Sequence, residues 1–324
     1  MNSYRRSLLA ATLAAPLAAP RAVHAQAQAW PTRPIRFVVP YAAGGPSDVL
    51  ARVVQNVVSA ELGQPVVVEN RGGGGSMIGA EFVARADDGH TFFVADSPHT
   101  IIPAVQPRVP YDAVNDFVPV GLIGAVTMIL MVNGRHPARD LQGLLAMARA
   151  QPDAVTFGSS GPGSLTHLLP EWLAQLGGVR FTVVPYRGSG PALLDVAAGQ
   201  LAAIFSSTLS AAGPLSDGSV RPIAVAATER LAALPNVPTF REQGVDLVSA
   251  NWWGLLAPRS TPPAVIARLS AALDLALGDP TVTARFATLG VEPRPRGPAP
   301  FAELLATEFR NWAQVAQAAG ATVR

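Results

Sequence analysis

The sequence predicts an α/β fold with mostly parallel sheets, because short β-rich segments alternate with helical segments from Ile35 onwards. Four times an apolar strand runs into a glycine-rich turn and then into a helix, twice before residue 132 and twice between residues 158 and 190. With 324 residues, 49% of them hydrophobic and 14% charged, the chain can form one large or two medium cores. We therefore expect two lobes whose helix N-termini face each other across a cleft.

The first strand–turn–helix unit predicts an anion-binding site. The strand is expected at residues 35–40 and the helix at residues 49–62, with Ser47 as its N-cap. Gly44 and Gly45 let a ligand approach the backbone. The first amides of a helix lack intrahelical partners and lie at the positive end of its dipole, so they favour a carboxylate or a phosphate.

The remaining elements follow from the same alternation. The polar segment 96–100 is expected as a loop at the carboxyl edge of a strand, where open α/β sheets hold ligands, with His99 as a ligand contact or a solvated residue. The apolar run 118–132 is predicted to pass from one lobe to the other. Further strands are predicted at 65–70, 91–95, 155–157, 181–186, 201–205, 221–227 and 252–257. Further helices are predicted from 77, at 141–149 and 165–176, from Pro191 to a stop at Gly199, and at 263–277, 282–289 and 300–319.

Charged and aromatic residues near these turns have alternative interpretations. Asp48 stabilises the start of its helix, which is the preferred interpretation, or receives an amino group of a substrate. Arg187 is a solvated surface charge or a bidentate clamp for a carboxylate. Trp252 and Trp253 are expected to pack near the lobe junction rather than stack on a ligand.

Residues 1–25 are predicted to be a cleaved signal peptide that delivers the protein to the periplasm. Arg5 and Arg6 precede the apolar segment 7–15, and Val23-His24-Ala25 provides a small-x-small cleavage site. A membrane anchor is the alternative, but the apolar run is too short to span a bilayer. Removing the leader takes away three arginines and no acid, which changes the formal charge from +2 to −1. The mature chain therefore has no basic character that would indicate a nucleic-acid partner.

Composition excludes several kinds of chemistry. The 24 basic residues are all arginine, and there is no cysteine. Schiff-base lysines, a P-loop lysine, thiolate nucleophiles and disulfides are therefore excluded. The five histidines stand at no ligand-like spacing, so we expect no metal and no cofactor.

The serine-rich turn 158–164 allows a serine hydrolase as an alternative. Ser160 lies close in sequence to His167, which could act as a base. The segment does not fit G-x-S-x-G, because Pro162 stands at the closing position, and no acid is placed to orient His167. We therefore expect a binding protein without catalytic residues.

The whole mature chain resembles the Bug (TctC-like) family of extracytoplasmic solute receptors that serve tripartite tricarboxylate transporters. No single block is decisive, but the order and spacing of the blocks are specific. The resemblance rests on Trp30-Pro31, Pro34-Ile35, residues 39–48, 69–79, Pro110-Tyr111-Asp112, Asp116-Phe117, 157–164, His167-Leu168, 184–188, Pro191-Ala192, Glu229-Arg230, 234–239, Trp253-Gly254 and Ala257-Pro258.

The resemblance implies a two-lobed type II periplasmic-binding-protein fold whose lobes, joined by crossing hinge strands, close on a small carboxylate. Lobe 1 is expected at 26–132 and 251–324, and lobe 2 at 133–250. The implied partners are the carboxylate and the membrane subunits of the transporter, and the receptor is expected to be a monomer. A sensor of the same architecture, docking on a signalling protein, is the alternative.

The implied ligand-binding residues come from both lobes. They are Tyr41, Ala43, Gly44, Gly45, Ser47, Asp48, Ser97, Thr100, Ser159, Ser160, Gly161, Ser164, Tyr186, Arg187, Gly188 and Ser206. The chain departs from the family at Ala202 and Ser206, where an aspartate and then an acid or an amide are common. The substrate of another member therefore cannot be transferred to this chain. Pro170 is a further departure, expected to kink its helix.

Overall fold

The computed structural model describes residues 30–320, so the predicted signal peptide lies outside the described residues. Helices and strands alternate along the chain, and the strands form two mixed sheets. This confirms the predicted α/β class. The strands are β1 Ile35–Val39, β2 Val66–Asn70, β3 Thr91–Asp96, β4 Phe117–Thr127, β5 Ile129–Asn133, β6 Thr156–Ser159, β7 Thr182–Pro185, β8 Ala203–Ser206, β9 Val220–Val225, β10 Ala250–Pro258 and β11 Glu292–Arg296.

The helices match the predicted segments to within a few residues, apart from α3 and α7, which the sequence analysis did not predict. None of those within residues 30–320 has the length and hydrophobicity that a bilayer crossing requires. They are α1 Pro46–Leu62, α2 Met77–Ala84, α3 Pro98–Val105, α4 Leu141–Ala150, α5 Leu165–Gly177, α6 Ser189–Ala197, α7 Ala212–Ser216, α8 Pro263–Gly278, α9 Pro280–Thr288 and α10 Pro298–Ala319.

Each sheet combines three parallel strands with antiparallel ones. The first sheet has the order β11-β4-β10-β3-β1-β2, and the second has the order β7-β6-β8-β5-β9. Strands β2, β1 and β3 are parallel, as are β7, β6 and β8. The sheets are mixed rather than mostly parallel, because β10 and β5, which adjoin the crossings between the sheets, run antiparallel to their neighbours.

The chain crosses between the sheets at two adjacent points. Only Met128 separates β4, in the first sheet, from β5, in the second, and Ser249 directly precedes β10 on the return. The Met128 amide donates to the Ser249 carbonyl at 3.2 Å. The apolar run 118–132 therefore does connect the two sheets. The predicted lobe bounds stay a prediction, although β5 pairs in the second sheet.

Helix α1 begins earlier than predicted, and its cap is different. Pro46 occupies the first helical position after Gly45, and the Val49 amide donates to the Gly45 carbonyl at 2.9 Å. Proline suits this position because its missing amide hydrogen would have no intrahelical partner. The prediction that Ser47 is the N-cap is therefore wrong. Its side chain is 2% exposed and makes tertiary hydrogen bonds instead.

The polar segment after β3 is helical rather than a loop. Pro98 opens α3, and His99 is 1% exposed with its Nε2 3.1 Å from the Ala113 carbonyl. Aromatic rings surround it, including Phe117 at a centroid distance of 5.0 Å. The prediction that His99 is a solvated residue or a ligand contact is therefore wrong. Desolvation by burial lowers the pKa of His99 to about 4, so the ring stays neutral.

Helix α10 packs against both halves of the structure. Phe301 and Leu305 belong to an apolar cluster with residues of the first sheet. Trp312 belongs to the cluster around the second sheet, and its ring lies 5.6 Å from that of Trp172 in α5. The helix therefore links the two cores directly.

The packing of α10 on the first sheet depends on Gly254 in β10. A Cβ there would lie 2.2 Å from Phe301 Cζ. We expect Gly254→Ala to lower the free energy of unfolding by about 1–3 kcal/mol, because this contact must be relieved by shifting α10. Urea unfolding measures the loss.

Two further variants test the cause of that loss. Gly278→Ala is the matched control, because a Cβ at Gly278 would meet nothing within 4 Å. Combining Gly254→Ala with Phe301→Leu should cost less than the sum of the two single losses. Strictly additive losses would contradict the proposed contact.

Candidate functional site

A cavity of about 470 Å³ lies between the two sheets, at the carboxyl ends of β3, β6 and β8. This is where open α/β sheets place their ligands. Both sheets and both crossings contribute to its wall. The lining residues are Gly44, Pro46, Val49, Leu50, Asp96, Pro98, Val126, Met128, Ser160, Ser164, Leu165, Thr166, Ser189, Phe205, Ser206, Ser207, Leu209, Ser210, Asn251, Trp253, Leu289 and Val291.

Asp96 is the charged residue of this lining, and it comes from the end of β3. Its side chain accepts a hydrogen bond from Tyr41 Oη at 3.0 Å and a longer one from Ser47 Oγ at 3.5 Å. Trp253 Nε1 donates to Ser47 Oγ at 3.0 Å, which leaves the serine hydrogen for the carboxylate. Burial raises the pKa of Asp96 to about 7, although these hydrogen bonds oppose the increase.

The predicted anion site at the start of α1 is occupied by the helix's own carboxylate. The Gly44 amide donates to Asp48 Oδ2 at 2.9 Å, and Asn70 Nδ2 donates to Asp48 Oδ1 at 3.0 Å. Arg52 pairs with the same carboxylate. Burial favours the neutral acid, but the hydrogen bonds outweigh it and lower the pKa of Asp48. Asp48 therefore stabilises the start of its helix, in agreement with the preferred interpretation of the sequence, and it does not line the cavity.

The second-sheet side presents hydroxyl groups and two helix starts. Ser164 caps α5 by accepting from the His167 amide at 3.2 Å. Thr166 Oγ1 accepts from the Ser160 amide at 2.8 Å and lies 2.7 Å from Ser160 Oγ. The first amides of α5, at Leu165 and Thr166, have no intrahelical acceptor and lie at the positive helix end. Helix α6 begins at Ser189, which also lines the cavity.

Three more serines extend this side. Ser206 ends β8 with 4% exposure, and Ser207 follows it. Ser207 Oγ donates to Ser210 Oγ at 3.0 Å. The second side therefore offers neutral donors, and no lining residue of the described chain carries a positive charge.

Four of the sixteen predicted site residues line the cavity, namely Gly44, Ser160, Ser164 and Ser206. Tyr41 and Ser47 contribute indirectly, through their hydrogen bonds to Asp96. The exposed Ala43 and the partly buried Gly45 are outside the lining.

Two predicted wall residues, Ser97 and Thr100, are almost fully buried. Ser97 Oγ accepts from the Trp252 amide at 3.0 Å, and Thr100 Oγ1 donates to the Ser97 carbonyl at 2.9 Å. Thr100 Oγ1 also lies 3.2 Å from Glu308 Oε2 in α10. Both hydroxyls therefore hold α3 against β10 and α10.

The other predicted residues of the second half surround the lining without joining it. Ser159 is fully buried, and Tyr186 Oη donates to Asp195. Arg187 is exposed, which favours its interpretation as a surface charge. Gly161 and Gly188 have φ values of +122° and +112°, which only glycine adopts easily, so they shape the turns.

Several lining residues were missed by the sequence analysis. Asp96 belongs to the polar segment 96–100, but it is not among the predicted ligand-binding residues. Trp253 was expected only at the junction. The remaining polar ones are Thr166, Ser189, Ser207, Ser210 and Asn251. The signal for most of them is their position at a strand end or in the first turn of a helix.

The two sides of the cavity touch at its rim. Leu209, which follows Ser206–Thr208 on the second side, is 46% exposed and lies against Gly290. Gly290 is in the turn before β11 on the first side, with φ +62°, and a Cβ there would lie 2.9 Å from Leu209 Cβ. Leu209 also lines the cavity, so this contact joins the two sides of its wall.

Ser160 and His167 are not arranged as a nucleophile and its base. Among the described residues, the hydrogen-bond partner of Ser160 Oγ is Thr166. His167 Nδ1 accepts from the Gly163 amide at 3.3 Å.

The chain was compared with known proteins. Residues 50–321 match the family model described as the tripartite tricarboxylate transporter family receptor. The chain belongs to this family. Protein BugT of Bordetella pertussis is 34% identical over 307 residues, which cover 94% of each chain. Members of the family are periplasmic solute-binding receptors, and they are not enzymes.

Solved structures of the family share the fold. The R. palustris protein Rpa4515, solved with adipate, is 34% identical and superposes with a TM-score of 0.76 over 91% of this chain and 100% of that one. MatC from Rhodopseudomonas palustris, with bound malate, is also 34% identical, with a TM-score of 0.73 over 88% and 99%. A TctC solute-binding protein from Polaromonas, 24% identical, reaches 0.80 over 89% and 99%. The predicted two-lobed periplasmic-binding-protein fold is confirmed.

The rim contact predicts a kinetic effect of Gly290→Ala in this receptor. The added methyl group meets Leu209, so the closed arrangement should be destabilised and the ligand should dissociate at least about fivefold faster. Stopped-flow measurement of the intrinsic tryptophan fluorescence, to which Trp253 in the cavity wall contributes, provides the rate.

Gly89→Ala is the matched control, because Gly89 has the same φ of +62° but nothing within 4 Å of its added Cβ. Both variants share the backbone strain of about 1 kcal/mol. Equal dissociation rates in the two variants would contradict a role for the rim contact.

Buried Asp96 predicts an unusual dependence of stability on pH. Its folded-state pKa of about 7 exceeds the ordinary value of 3.8, so the folded protein retains a proton that the unfolded chain loses. Ligand-free wild type should therefore lose stability relative to Asp96→Asn as pH rises from about 4 to about 7, by up to about 4 kcal/mol. Urea unfolding at pH 5 and pH 8 should show about 3 kcal/mol of this loss, since the remainder falls below pH 5.

Asp88→Asn is the matched control. Burial favours neutral Asp88, but hydrogen bonds from His90 and Thr91 lower its pKa below 3.8. The stability that Asp88 contributes is therefore lost only as pH falls below about 4, and the difference between wild type and this variant should stay constant from pH 5 to pH 8. A difference between wild type and Asp96→Asn that is independent of pH would contradict the buried, uncompensated carboxylate.

Proposed function

We propose that the protein is a periplasmic receptor that captures a small carboxylate between two lobes and delivers it to the membrane subunits of a tripartite tricarboxylate-type transporter. The observation that carries the proposal is the cavity, whose second side combines serine and threonine hydroxyls with the N-termini of α5 and α6. These groups bind a carboxylate without a charged side chain. The relatives solved with malate and with adipate support this ligand class.

Closure follows from the position of the cavity between the sheets. A ligand that touches both sides favours the closed arrangement, because its contacts on one side are lost when the lobes separate. The crossings at Met128 and Ser249 are adjacent and hydrogen-bonded, so we assign the hinge to them. We place lobe 1 at residues 26–132 and 251–324 and lobe 2 at 133–250, with the boundary strands belonging to the hinge.

No catalytic step is part of the proposal. Thr166 rather than His167 is the partner of Ser160 Oγ, which supports a binding role for this serine. We also propose residues 1–25 as the export signal and a monomeric receptor.

Calorimetric titration with a panel of mono-, di- and tricarboxylates, acidic amino acids and aromatic acids tests the proposal. At least one member should bind with a stoichiometry of one and without turnover. Thr166→Val removes the hydroxyl that organises Ser160 and Ser164, so affinity for that ligand should fall about 10- to 100-fold. Failure of every carboxylate to bind the folded, ligand-free protein would contradict the proposed function.

Thr182→Val is the matched control for this variant. Thr182 lies at the start of β7, is exposed, and donates to the Asp153 carbonyl at 2.8 Å, away from the cavity. Its affinity should equal that of wild type. Equal losses in both variants would assign the effect to stability rather than to the cavity.

A further inference from the structure

We propose that the ligand carries a cationic group, most simply the ammonium of an amino acid, which binds to Asp96 while its carboxylate binds to the second side of the cavity. The inference rests on the proposed function and specifies its ligand as a zwitterion rather than a simple dicarboxylate.

Asp96 is a carboxylate without a counter-ion. It is 7% exposed, it lines the cavity, and its hydrogen bonds come from two neutral hydroxyls. Within residues 30–320, no cationic side chain pairs with it. A buried carboxylate of this kind is costly unless an opposite charge accompanies it. Because Asp96 lines the cavity, a positive charge on a ligand in the cavity can reach it.

The first side of the cavity offers a ligand carboxylate little else. The Gly44 amide donates to Asp48, and Pro46 and Pro98 have no amide hydrogen. Trp253 has committed its indole hydrogen to Ser47, so it presents ring carbons to the cavity. Asn251 in β10 is the remaining polar side chain on this side. A second ligand carboxylate here would therefore meet the negative Asp96 and a single side-chain amide.

The second side has the complementary character. The hydroxyls of Ser160, Ser164 and Thr166 lie at the positive end of α5, and Ser206 ends the neighbouring strand. The cavity is thus polarised, with donors on one side and an acceptor on the other. This arrangement orients a zwitterion and disfavours a dianion.

Asp48 is the acid that the sequence analysis considered as a contact for an amino group of the substrate. Asp96 differs from it because Asp96 lines the cavity and Asp48 does not. Asp48 already has Arg52, Asn70 and the Gly44 amide as partners, so a ligand cation would add nothing to it. The cation-binding role therefore belongs to Asp96.

Matched pairs of acids that differ only by an ammonium group test the inference. We would titrate succinate against aspartate, glutarate against glutamate and adipate against 2-aminoadipate, at pH 7.5, by calorimetry. In at least one pair, wild type should bind the amino-bearing acid at least tenfold more tightly. Asp96→Asn should lose that preference, and Asp96→Glu tests whether charge alone restores part of it.

Asp88→Asn is the matched control, because Asp88 precedes β3 at the end of the strand opposite Asp96. It should keep the preference of wild type. If Asp96→Asn fails to fold, the preference of wild type and its pH dependence still decide the question.

The pH dependence distinguishes two roles of Asp96. Ionised Asp96 attracts an ammonium, so affinity for the amino-bearing acid should rise about tenfold from pH 6 to pH 8, given the pKa of about 7 in the free protein. A protonated Asp96 that donates to a ligand carboxylate would make affinity fall over the same range. The titratable groups acting on Asp96 are Tyr41 and Tyr111, and burial raises both of their pKa values, so they stay neutral. From α1 and β10, Ser47 and Trp253 face it.

The outcomes separate this inference from the proposed function. Equal or tighter binding of the acids without ammonium, or an affinity that falls with pH, would overturn the zwitterion and leave a carboxylate receptor. Binding of no acid at all would overturn both.

Discussion

The structure depends on a double crossing of the chain between two sheets. Met128 and Ser249 lie side by side, and Ala226 completes the contact, since its amide donates to the Met128 carbonyl and its carbonyl accepts from Ser249, each at 2.9 Å. Because both crossings run along one line, the sheets are joined on that line and face each other beyond it. The carboxyl ends of β3, β6 and β8 therefore meet around one cavity.

Two buried carboxylates of the first half of the chain, Asp48 and Asp96, have opposite surroundings. Asp48 is surrounded by donors that hold it ionised and fix the turn at Gly44. Asp96 receives hydrogen bonds from two neutral hydroxyls and has no counter-ion among the described residues, so burial favours its protonated form. One acid contributes to the stability of α1, while the other reduces the stability of the empty protein and leaves an interaction for a ligand to make.

Much of the architecture could be predicted from the sequence, because strand and helix periodicity and glycine-rich turns are local signals. Most elements and the passage near residue 128 follow from them. The site was harder, because it depends on contacts between distant residues. The start of α1 is occupied by Asp48, which Asn70 holds from 22 positions away. Only the tertiary structure shows that no cationic side chain between residues 30 and 320 pairs with Asp96. Ser97 and Thr100 carry polar side chains at a strand end, yet their hydroxyls are hydrogen-bonded to the Trp252 amide and to Glu308, respectively, and not available to a ligand.

Helix α10 has a consequence for how the protein is made. Phe301 and Leu305 complete a cluster on the first sheet, and Trp312, Val315 and Ala316 complete the cluster around the second. During synthesis these residues leave the ribosome after the eleven strands described between residues 30 and 320. Neither core can close fully while the strands are being translated, so the nascent chain stays incompletely packed until translation has passed residue 316.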